Sequence, residues 1–173
     1  NRNKVLALAN NQESLLSGIR WDNNWSSIPG YIAKIGQPLG LMYGYIWDGN
    51  YQYADFNKTS TDTYVLKDNV PTNGNTRTTI KPGDIKYRDL NGDGNVNASD
   101  YTVIGNSLPI HIGGFSNNFT YKNFDLNIFF QWSYGNKIQN NNRLVFEGGA
   151  LANAYLEQFE SYVDRWSPDN QGS

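Results

Sequence analysis

The chain has 173 residues, a formal charge of −2, a pI near 5.3 and no cysteine. These values argue against a nucleic-acid-binding protein, which needs a clustered basic surface, and they exclude disulfides and thiolate metal sites. Aromatic residues make up 14% of the chain although its mean hydropathy is −0.64, a combination that suits β-structure with long polar loops.

Residues 1–109 predict a long loop region that carries only short strands. Candidate strands cover residues 31–35, 42–53, 64–66 and 83–90. The stretches at residues 57–62 and 68–79 are polar, and a proline and a glycine interrupt the second of them, so they predict irregular, mobile segments.

Aromatic side chains in this region are candidates for a ligand-stacking surface. The candidate substrate-binding residues are Trp21, Trp25, Tyr45 and Trp47. Amphipathic rings suit contacts with sugars, but buried tyrosine and tryptophan also dominate small β-cores. The alternative, that these rings pack in the core, stays open.

A loop rich in asparagine and aspartate at residues 89–100 matches the pattern of a calcium-binding loop. Calcium takes about six to eight oxygen ligands, which a twelve-residue loop supplies from positions one, three, five, seven, nine and twelve. The sixth position requires a glycine for a sharp turn, and this chain has Gly94 there. The predicted ligands are Asp89, Asn91, Asp93, Asn95, Asn97 and Asp100.

Two features of this loop bear on the calcium prediction. Asp100 is one methylene shorter than the glutamate of the usual motif, as in dockerin-type extracellular loops, which weakens the expectation of a bidentate contact. Clusters of asparagine, aspartate and glycine also form turns without metal, because their side chains accept hydrogen bonds from backbone amides. If Ca²⁺ is bound, we expect it to stabilise a long loop rather than to perform chemistry. A brief helical turn over residues 99–104, with Ser99 as its N-cap, is predicted to follow.

The clearest secondary-structure signal lies in residues 110–134 and predicts one β-hairpin. In its second half, large apolar residues alternate with polar ones, with Phe129 as the exception, and a period of two excludes a helix. The pair Lys122-Asn123 predicts a two-residue turn in which Asn123 tolerates a positive φ. The apolar positions are Phe124, Leu126, Ile128, Phe130, Trp132 and Tyr134.

This hairpin predicts either a membrane-spanning ribbon or a surface hairpin of a soluble β-sandwich. A strand of a transmembrane barrel needs about 9–11 residues with apolar side chains toward lipid. A soluble sandwich shows the same alternation with the apolar face packed inward. The position of a tight turn between two long irregular segments favours the membrane, because barrels have short periplasmic turns and long extracellular loops.

Residues 135–173 then form the second predicted extracellular loop. Apolar residues recur at helical spacing in this segment and predict an amphipathic helix at residues 150–165, which Ser167-Pro168 ends.

No constellation of catalytic residues is recognisable, so the sequence predicts a protein that is not an enzyme. His111 is the only histidine, and the chain has no cysteine nucleophile, no nucleophile-elbow serine motif and no phosphate-binding loop.

Several short motifs together are similar to one family. They are Ile35-Gly36-Gln37-Pro38-Leu39-Gly40 with Tyr43-Gly44-Tyr45, Pro82-Gly83-Asp84-Ile85-Lys86-Tyr87, Thr102-Val103-Ile104-Gly105-Asn106, Tyr121-Lys122-Asn123-Phe124-Asp125-Leu126, Phe129-Phe130-Gln131 with Tyr134-Gly135-Asn136, and Asp164-Arg165-Trp166-Ser167-Pro168-Asp169-Asn170. In this order they resemble the SusC/RagA-type TonB-linked outer-membrane transporters of Bacteroidetes.

The resemblance implies a mostly β fold that is a fragment, from the C-terminal half, of a large transmembrane antiparallel β-barrel of about 22 strands. Long extracellular loops and a short amphipathic helix would complete it. The implied location is the outer membrane, with most of this segment outside the cell, and the implied function is import of oligosaccharides or peptides. The implied partners are a SusD-like lipoprotein and TonB, the latter through a segment absent from this chain. The alternative function is a free-standing, calcium-stabilised extracellular module that binds carbohydrate.

Overall fold

A computed structural model describes residues 2–19, 28–147 and 157–171 of the chain. The described structure is mostly β with antiparallel pairing, as predicted. The strands are β1 (Ser14–Gly18), β2 (Pro29–Lys34), β3 (Leu41–Gly44), β4 (Trp47–Asn50), β5 (Phe56–Ser60), β6 (Thr63–Leu66), β7 (Ile85–Tyr87), β8 (Thr102–Asn106), β9 (His111–Tyr121) and β10 (Phe124–Tyr134). The helices are α1 (Asn141–Glu147) and short 3-10 helices at Ala9–Asn11, Tyr53–Asp55, Ala98–Asp100 and Glu160–Asp164.

The chain divides into two compact units, and each unit is assembled from two separate stretches of sequence. The first unit contains residues 1–44 and 103–138, and the second contains residues 45–102 and 139–173. The predicted segments, by contrast, follow the chain and break at residues 109 and 134. The sequence cannot reveal the discontinuous division because pairing between distant strands creates it.

A four-stranded sheet in the order β1-β2-β3-β8 organises the first unit. Strand β1 lies antiparallel to β2 with Leu16 opposite Ile32, and the side chains of Ile32 and Leu41 are buried. The sequence does not predict strand β1, because Ser-Leu-Leu-Ser-Gly lacks an alternation of apolar and polar residues. The expectation of a helical turn over residues 99–104 is wrong beyond Asp100, because the chain continues as strand β8 at the edge of this sheet.

The predicted hairpin is present and its register is regular over its whole length. Strands β9 and β10 have 11 residues each, with Phe124 opposite Tyr121 at the turn and Tyr134 opposite His111 at the far end. The two-residue turn is where the sequence placed it, but Lys122 adopts the positive φ of 53°, not Asn123.

One face of this hairpin is apolar and exposed. Directly opposed residues share a face, and successive residues alternate between faces. Phe130 lies opposite Phe115 and is 59% exposed, and Phe124 is 78% exposed. The large exposed side chains of this apolar face are Phe115, Phe119, Tyr121, Phe124, Leu126, Phe130, Trp132 and Tyr134. Contiguous apolar surface of this size marks a site of interaction.

A glycine and an aromatic ring share the far end of the same face. Gly113 lies opposite Trp132, and a Cβ atom on Gly113 would approach Trp132 Cζ2 to 2.4 Å. The indole therefore lies across the glycine, and any larger residue at position 113 would displace it. The Trp132 indole nitrogen donates to His111 Nδ1 at 3.1 Å, so the aromatic end of the hairpin also carries a polar group.

The second unit has a small hydrophobic core around the hairpin formed by β5 and β6. The core consists of Tyr51, Phe56, Leu66 and Ile80, with Tyr64 and Val70 packed against it. The Tyr51 hydroxyl donates to the Pro71 carbonyl at 2.7 Å, so this fully buried ring keeps its polar group satisfied. The expectation of irregular structure at residues 57–62 is wrong, since most of this stretch belongs to strand β5 and the turn that follows it.

The single predicted strand at residues 42–53 is instead three elements. Strand β3 pairs with β2 in the first unit, whereas β4 pairs with β7 in the second, so the chain must leave one sheet for another between them. Gly49 has a φ of +91°, and the 3-10 helix Tyr53–Asp55 follows β4.

Most of the predicted helix at residues 150–165 cannot be compared, because residues 148–156 lie outside the described residues. Its C-terminal part contains the 3-10 helix Glu160–Asp164 and not an α-helix. An α-helix that the sequence analysis missed, α1, is supported by an ion pair of 2.8 Å between Arg143 and Glu147. None of the helices in the described parts of the chain has the length and hydropathy that a membrane span requires.

Candidate functional site

The asparagine-rich loop connects β7 to β8 and is built by tight turns. Gly92 and Gly94 have φ values of +76° and +81°, which L-residues with side chains rarely adopt. Gly94 thus provides the sharp turn that the calcium motif requires at its sixth position.

Asp89, the first predicted ligand, organises the beginning of the loop. One of its carboxylate oxygens accepts a hydrogen bond from the Gly92 amide at 2.7 Å, and the other accepts one from the Gly94 amide at 2.7 Å. The next two ligands continue the pattern: Asn91 accepts from the Asp93 amide at 2.9 Å, and Asp93 accepts from the Asn95 amide at 2.8 Å. These bonds hold the loop in shape.

Asp100, the last predicted ligand, is completely buried. Its Oδ1 accepts from the amides of Leu90 and Asn91 at 2.8 and 3.3 Å, and its Oδ2 accepts from the Asn97 amide at 2.8 Å. These bonds, with that from Asn97 the strongest influence, lower the pKa of Asp100 below its ordinary value despite the opposing effect of burial. Asp100 therefore closes the loop by joining its end to its beginning.

The helical turn at Ala98–Asp100 has a different N-cap from the predicted one. The Asn97 side chain accepts a hydrogen bond from the Ser99 amide at 2.9 Å, so Asn97 is the cap and Ser99 lies inside the turn. The Asn97 side chain accepts a hydrogen bond from the Asp100 backbone amide, and the Asp100 side chain accepts one from the Asn97 backbone amide. This reciprocal arrangement is a capping box.

The loop is also anchored to a distant part of the second unit. Thr72 and Asn95 form an isolated parallel bridge, and the Thr72 hydroxyl donates to the Asn95 side-chain oxygen. The Thr72 amide donates to the Gly94 carbonyl, and the Val96 amide donates to the Thr72 carbonyl, both at 3.1 Å. Val96 is 2% exposed, so its side chain anchors the loop in the interior.

The donor chemistry of the loop suits calcium, because all six predicted ligands are carboxylate or amide oxygens. The Asp89 carboxylate oxygens each accept one amide bond and keep a second lone pair, whereas both lone pairs of Asp100 Oδ1 are engaged. Within the described residues, no group of three or more His, Cys, Asp or Glu side chains is positioned to hold a metal. The loop is thus folded by its own hydrogen bonds. It offers oxygen atoms that could coordinate a metal ion, but its carboxylates do not converge on one point.

The candidate substrate-binding residues differ in their surroundings. Trp21 and Trp25 lie outside the described residues. Tyr45 is stacked on Tyr101 with ring centres 4.2 Å apart, and burial, followed by its contacts with Tyr101, raises its pKa to about 12. Trp47 is 59% exposed on strand β4, so of this pair only Trp47 presents a large open ring.

A cleft that the sequence analysis did not assemble lies elsewhere in the second unit. It has a volume of about 310 Å³ and is lined by Tyr53, Asp62, Thr63, Tyr64, Thr78, Lys81 and Pro82. Tyr53 was recognisable only as one of several aromatic residues. No local spacing connects the other residues, because three separate segments contribute them.

The fold therefore combines an antiparallel hairpin with an exposed apolar face and a long, hydrogen-bonded polar loop. No family model matches the chain. Among curated proteins, it is similar to TonB-dependent receptor P3 of Formosa agariphila, with 30% identity over 177 aligned positions that cover 98% of the chain. TonB-dependent receptors P39 and P26 of the same organism are 33% and 37% identical and cover 80% and 53% of the chain.

The chain spans only 15%, 14% and 9% of the lengths of these three relatives. It is homologous to a segment of TonB-dependent receptors. The coarser part of the resemblance found in the sequence, to TonB-linked receptors, is confirmed by these relatives.

Proposed function

We propose that the chain is part of an outer-membrane TonB-dependent transporter and that its β9–β10 hairpin crosses the lipid bilayer. The observation that carries this proposal is the exposed apolar face of a hairpin with 11 residues in each strand. At about 3.4 Å per residue and a tilt of about 45°, such a strand covers roughly the 25 Å apolar band of a barrel wall.

The distribution of aromatic rings along the hairpin supports the same proposal. Tyr121 and Phe124 lie at the turn, whereas Trp132 and Tyr134 lie at the opposite end. Barrels carry girdles of aromatic residues at both membrane interfaces. The hairpin would thus have one girdle at each end, with Leu126, Ile128 and Phe130 in the hydrocarbon between them.

The finer assignment is to the SusC/RagA type, in which a SusD-like lipoprotein and TonB act as partners in importing oligosaccharides or peptides. The motifs of residues 36–170 support it.

The proposed topology places the turn at Lys122-Asn123 in the periplasm and the long loops outside the cell. The chain itself contributes no cysteine, so in a full-length protein whose other segments are made cysteine-free, single cysteines at Asn123 and at Asp68 can be labelled with a membrane-impermeant maleimide. We expect Asp68→Cys to be labelled on intact cells and Asn123→Cys only after the outer membrane is permeabilised. Labelling of both on intact cells would contradict the topology and favour the free-standing carbohydrate-binding module.

We also propose that the asparagine-rich loop binds Ca²⁺ through Asp89, Asn91, Asp93, Asn95, Asn97 and Asp100. The oxygen-only donor set and the glycine turn at position six support this. Extracellular calcium modules bind with Kd values of about 10⁻⁴–10⁻³ M, so the ion would brace an external loop without acting in chemistry.

We expect 10 mM calcium to raise the Tm of the chain by roughly 3–10 °C, since a ligand at about 10–100 times its Kd stabilises by about 1.4–2.7 kcal/mol. Asp93→Asn removes a charge but keeps the acceptor for the Asn95 amide, so it should abolish most of this rise while changing Tm little in a chelator. The control Asp68→Asn, an exposed aspartate outside the loop, should keep the full rise. Differential scanning calorimetry measures these Tm values. Equal values for the unmodified chain in calcium and in chelator would contradict the proposal that the loop binds Ca²⁺.

A further inference from the structure

The cleft in the second unit is formed by three segments that are distant in sequence. Tyr53 comes from a 3-10 helix, and Asp62, Thr63 and Tyr64 come from the turn and strand of the β5–β6 hairpin. Lys81 comes from the loop that precedes β7. The asparagine-rich loop contributes nothing to its lining, so the cleft is separate from the candidate calcium site.

Two parts of the cleft lining, Tyr53 and the turn that carries Lys81, are held by contacts outside the cleft. Tyr53 packs at 5.9 Å against Trp166, whose indole nitrogen donates to the Gln52 side-chain oxygen at 3.1 Å. The Lys81 amide donates to the Asp84 carboxylate at 2.9 Å, which holds the turn that carries Lys81. A preorganised site loses less entropy when it binds a ligand.

A glycine beside the cleft allows Trp166 to reach its position. Gly83 has a φ of +95°, and a Cβ atom there would lie 2.5 Å from Trp166 Cε3. The indole thus lies directly on the backbone of the turn that follows Lys81. Trp166 therefore contacts both Tyr53 and the turn that carries Lys81.

The chemistry of the lining combines aromatic rings with groups that bond to hydroxyls. The rings of Tyr53 and Tyr64 are 5.3 Å apart and inclined at 59°, so they form an angled apolar surface. Asp62 and Lys81 are exposed, and within the described residues neither side chain makes an ion pair. A carboxylate accepts from hydroxyl groups and an ammonium donates to them, and the two opposite charges cancel.

These properties select for a neutral molecule with both apolar C–H faces and many hydroxyl groups. A cleft of about 310 Å³ is at the lower end of the range for small-molecule sites. It therefore suits a single ring, and its exposed rim residues leave room for a longer chain to continue into solvent.

We propose that this cleft is a subsite for one sugar unit of a neutral oligosaccharide. The inference narrows the substrate class of the proposed transporter, and to that extent it rests on the proposed function. Tyr53 and Tyr64 would contact the C–H face of the sugar, and Asp62 and Lys81 would bind its hydroxyl groups.

The test is calorimetric titration of the full-length protein that contains this chain, in a detergent without a sugar head group, with maltotetraose, cellotetraose and laminaritetraose. Tetragalacturonate and tetra-alanine serve as charged and peptide probes. We expect saturable binding of at least one neutral tetrasaccharide. The double variant Asp62→Asn/Lys81→Gln should weaken it roughly tenfold, whereas Lys34→Gln/Asp68→Asn, with the same charge changes at exposed sites outside the cleft, should not.

Three results would overturn the proposal: no binding of any neutral tetrasaccharide, equal affinity of the two double variants, or tighter binding of tetragalacturonate or tetra-alanine. Each is distinguishable from failure of the transporter proposal. If cysteine labelling shows that the hairpin crosses the outer membrane but no saccharide binds, the sugar-subsite proposal fails and the transporter proposal stands. Saccharide binding lost in Asp62→Asn/Lys81→Gln would support the cleft even if cysteine labelling contradicted the membrane topology.

Discussion

If the β9–β10 hairpin crosses the bilayer as proposed, substituting Phe130 by arginine is expected to destabilise the protein in the membrane by about 2–4 kcal/mol, because a charge near the middle of the hydrocarbon region loses its hydration. Phe130 lies close to the centre of β10 and is exposed on the apolar face. The same substitution at Phe124, beside the turn, should cost only about 0–1 kcal/mol, because arginine reaches the interface there. Urea unfolding from lipid vesicles measures both values.

The matched control for Phe130→Arg is the neighbouring residue on the opposite face. Gln131 lies opposite Gly114, where no side chain opposes a long arginine. We expect Gln131→Arg to change stability by less than about 1 kcal/mol, since this face would contact the wet interior of a barrel. Equal losses for Phe130→Arg and Gln131→Arg would show that the two faces do not differ in their contact with lipid.

Replacing Asp100 by alanine is expected to lower the Tm by roughly 10 °C in a chelator, and by more in calcium, because the variant also loses one of the proposed calcium ligands. The carboxylate accepts hydrogen bonds from three backbone amides, and its removal leaves the Leu90, Asn91 and Asn97 amides without their acceptor. The loop would then lose the connection between its beginning and its end. Thermal unfolding followed by far-UV circular dichroism measures the change.

Two further variants separate the role of Asp100 in folding from its proposed role as a ligand. Asp100→Asn keeps one acceptor oxygen for Leu90 and Asn91, so it should lose less stability than Asp100→Ala. Asp68→Ala, an exposed aspartate outside the loop, should change the Tm by no more than about 2 °C. A loss in Asp100→Ala that appears only with calcium present would assign the residue to metal binding and not to closure of the loop.

Lowering the pH should weaken the hydrogen bonds that the Asp100 carboxylate accepts from the Leu90, Asn91 and Asn97 amides. Because the hydrogen bonds lower the pKa of Asp100 in the folded chain, its contribution to stability is present above the unfolded value of 3.8 and is lost as pH falls through the lower folded value.

Local patterns predicted the parts of the fold that local physics decides. The β9–β10 hairpin follows from a two-residue turn and from an alternation of apolar and polar residues in β10 that only Phe129 breaks. Even there, the left-handed conformation fell on Lys122, because turn geometry and not residue preference alone determines which residue takes it. Strand β6 at Thr63–Leu66 likewise matches the predicted residues 64–66.

Contacts between distant residues produced the differences. Strand β1 exists because β2 provides a partner, and the predicted strand at residues 42–53 is divided because β3 and β4 pair with different strands. The bridge between Thr72 and Asn95 joins residues 23 apart, and no pattern in either segment indicates the other.

The candidate sites show the same distinction. The asparagine-rich loop was recognisable because its donors follow one another along the chain, and the structure adds that their oxygens already hold the loop together. The cleft was not recognisable, because Tyr53, Tyr64 and Lys81 are brought together only by the folded second unit.

The proposed membrane crossing requires that the apolar face of the β9–β10 hairpin contacts lipid acyl chains. Nitroxide labels on single cysteines at positions 130 and 131, in protein reconstituted into vesicles, test it through their collisions with oxygen and with a water-soluble nickel complex. If the apolar face contacts lipid, the label at 130 will collide mainly with oxygen, which concentrates in the bilayer, and the label at 131 will collide mainly with the nickel complex. Equal access of nickel to both labels would rule out lipid contact of one face and place the hairpin outside the membrane.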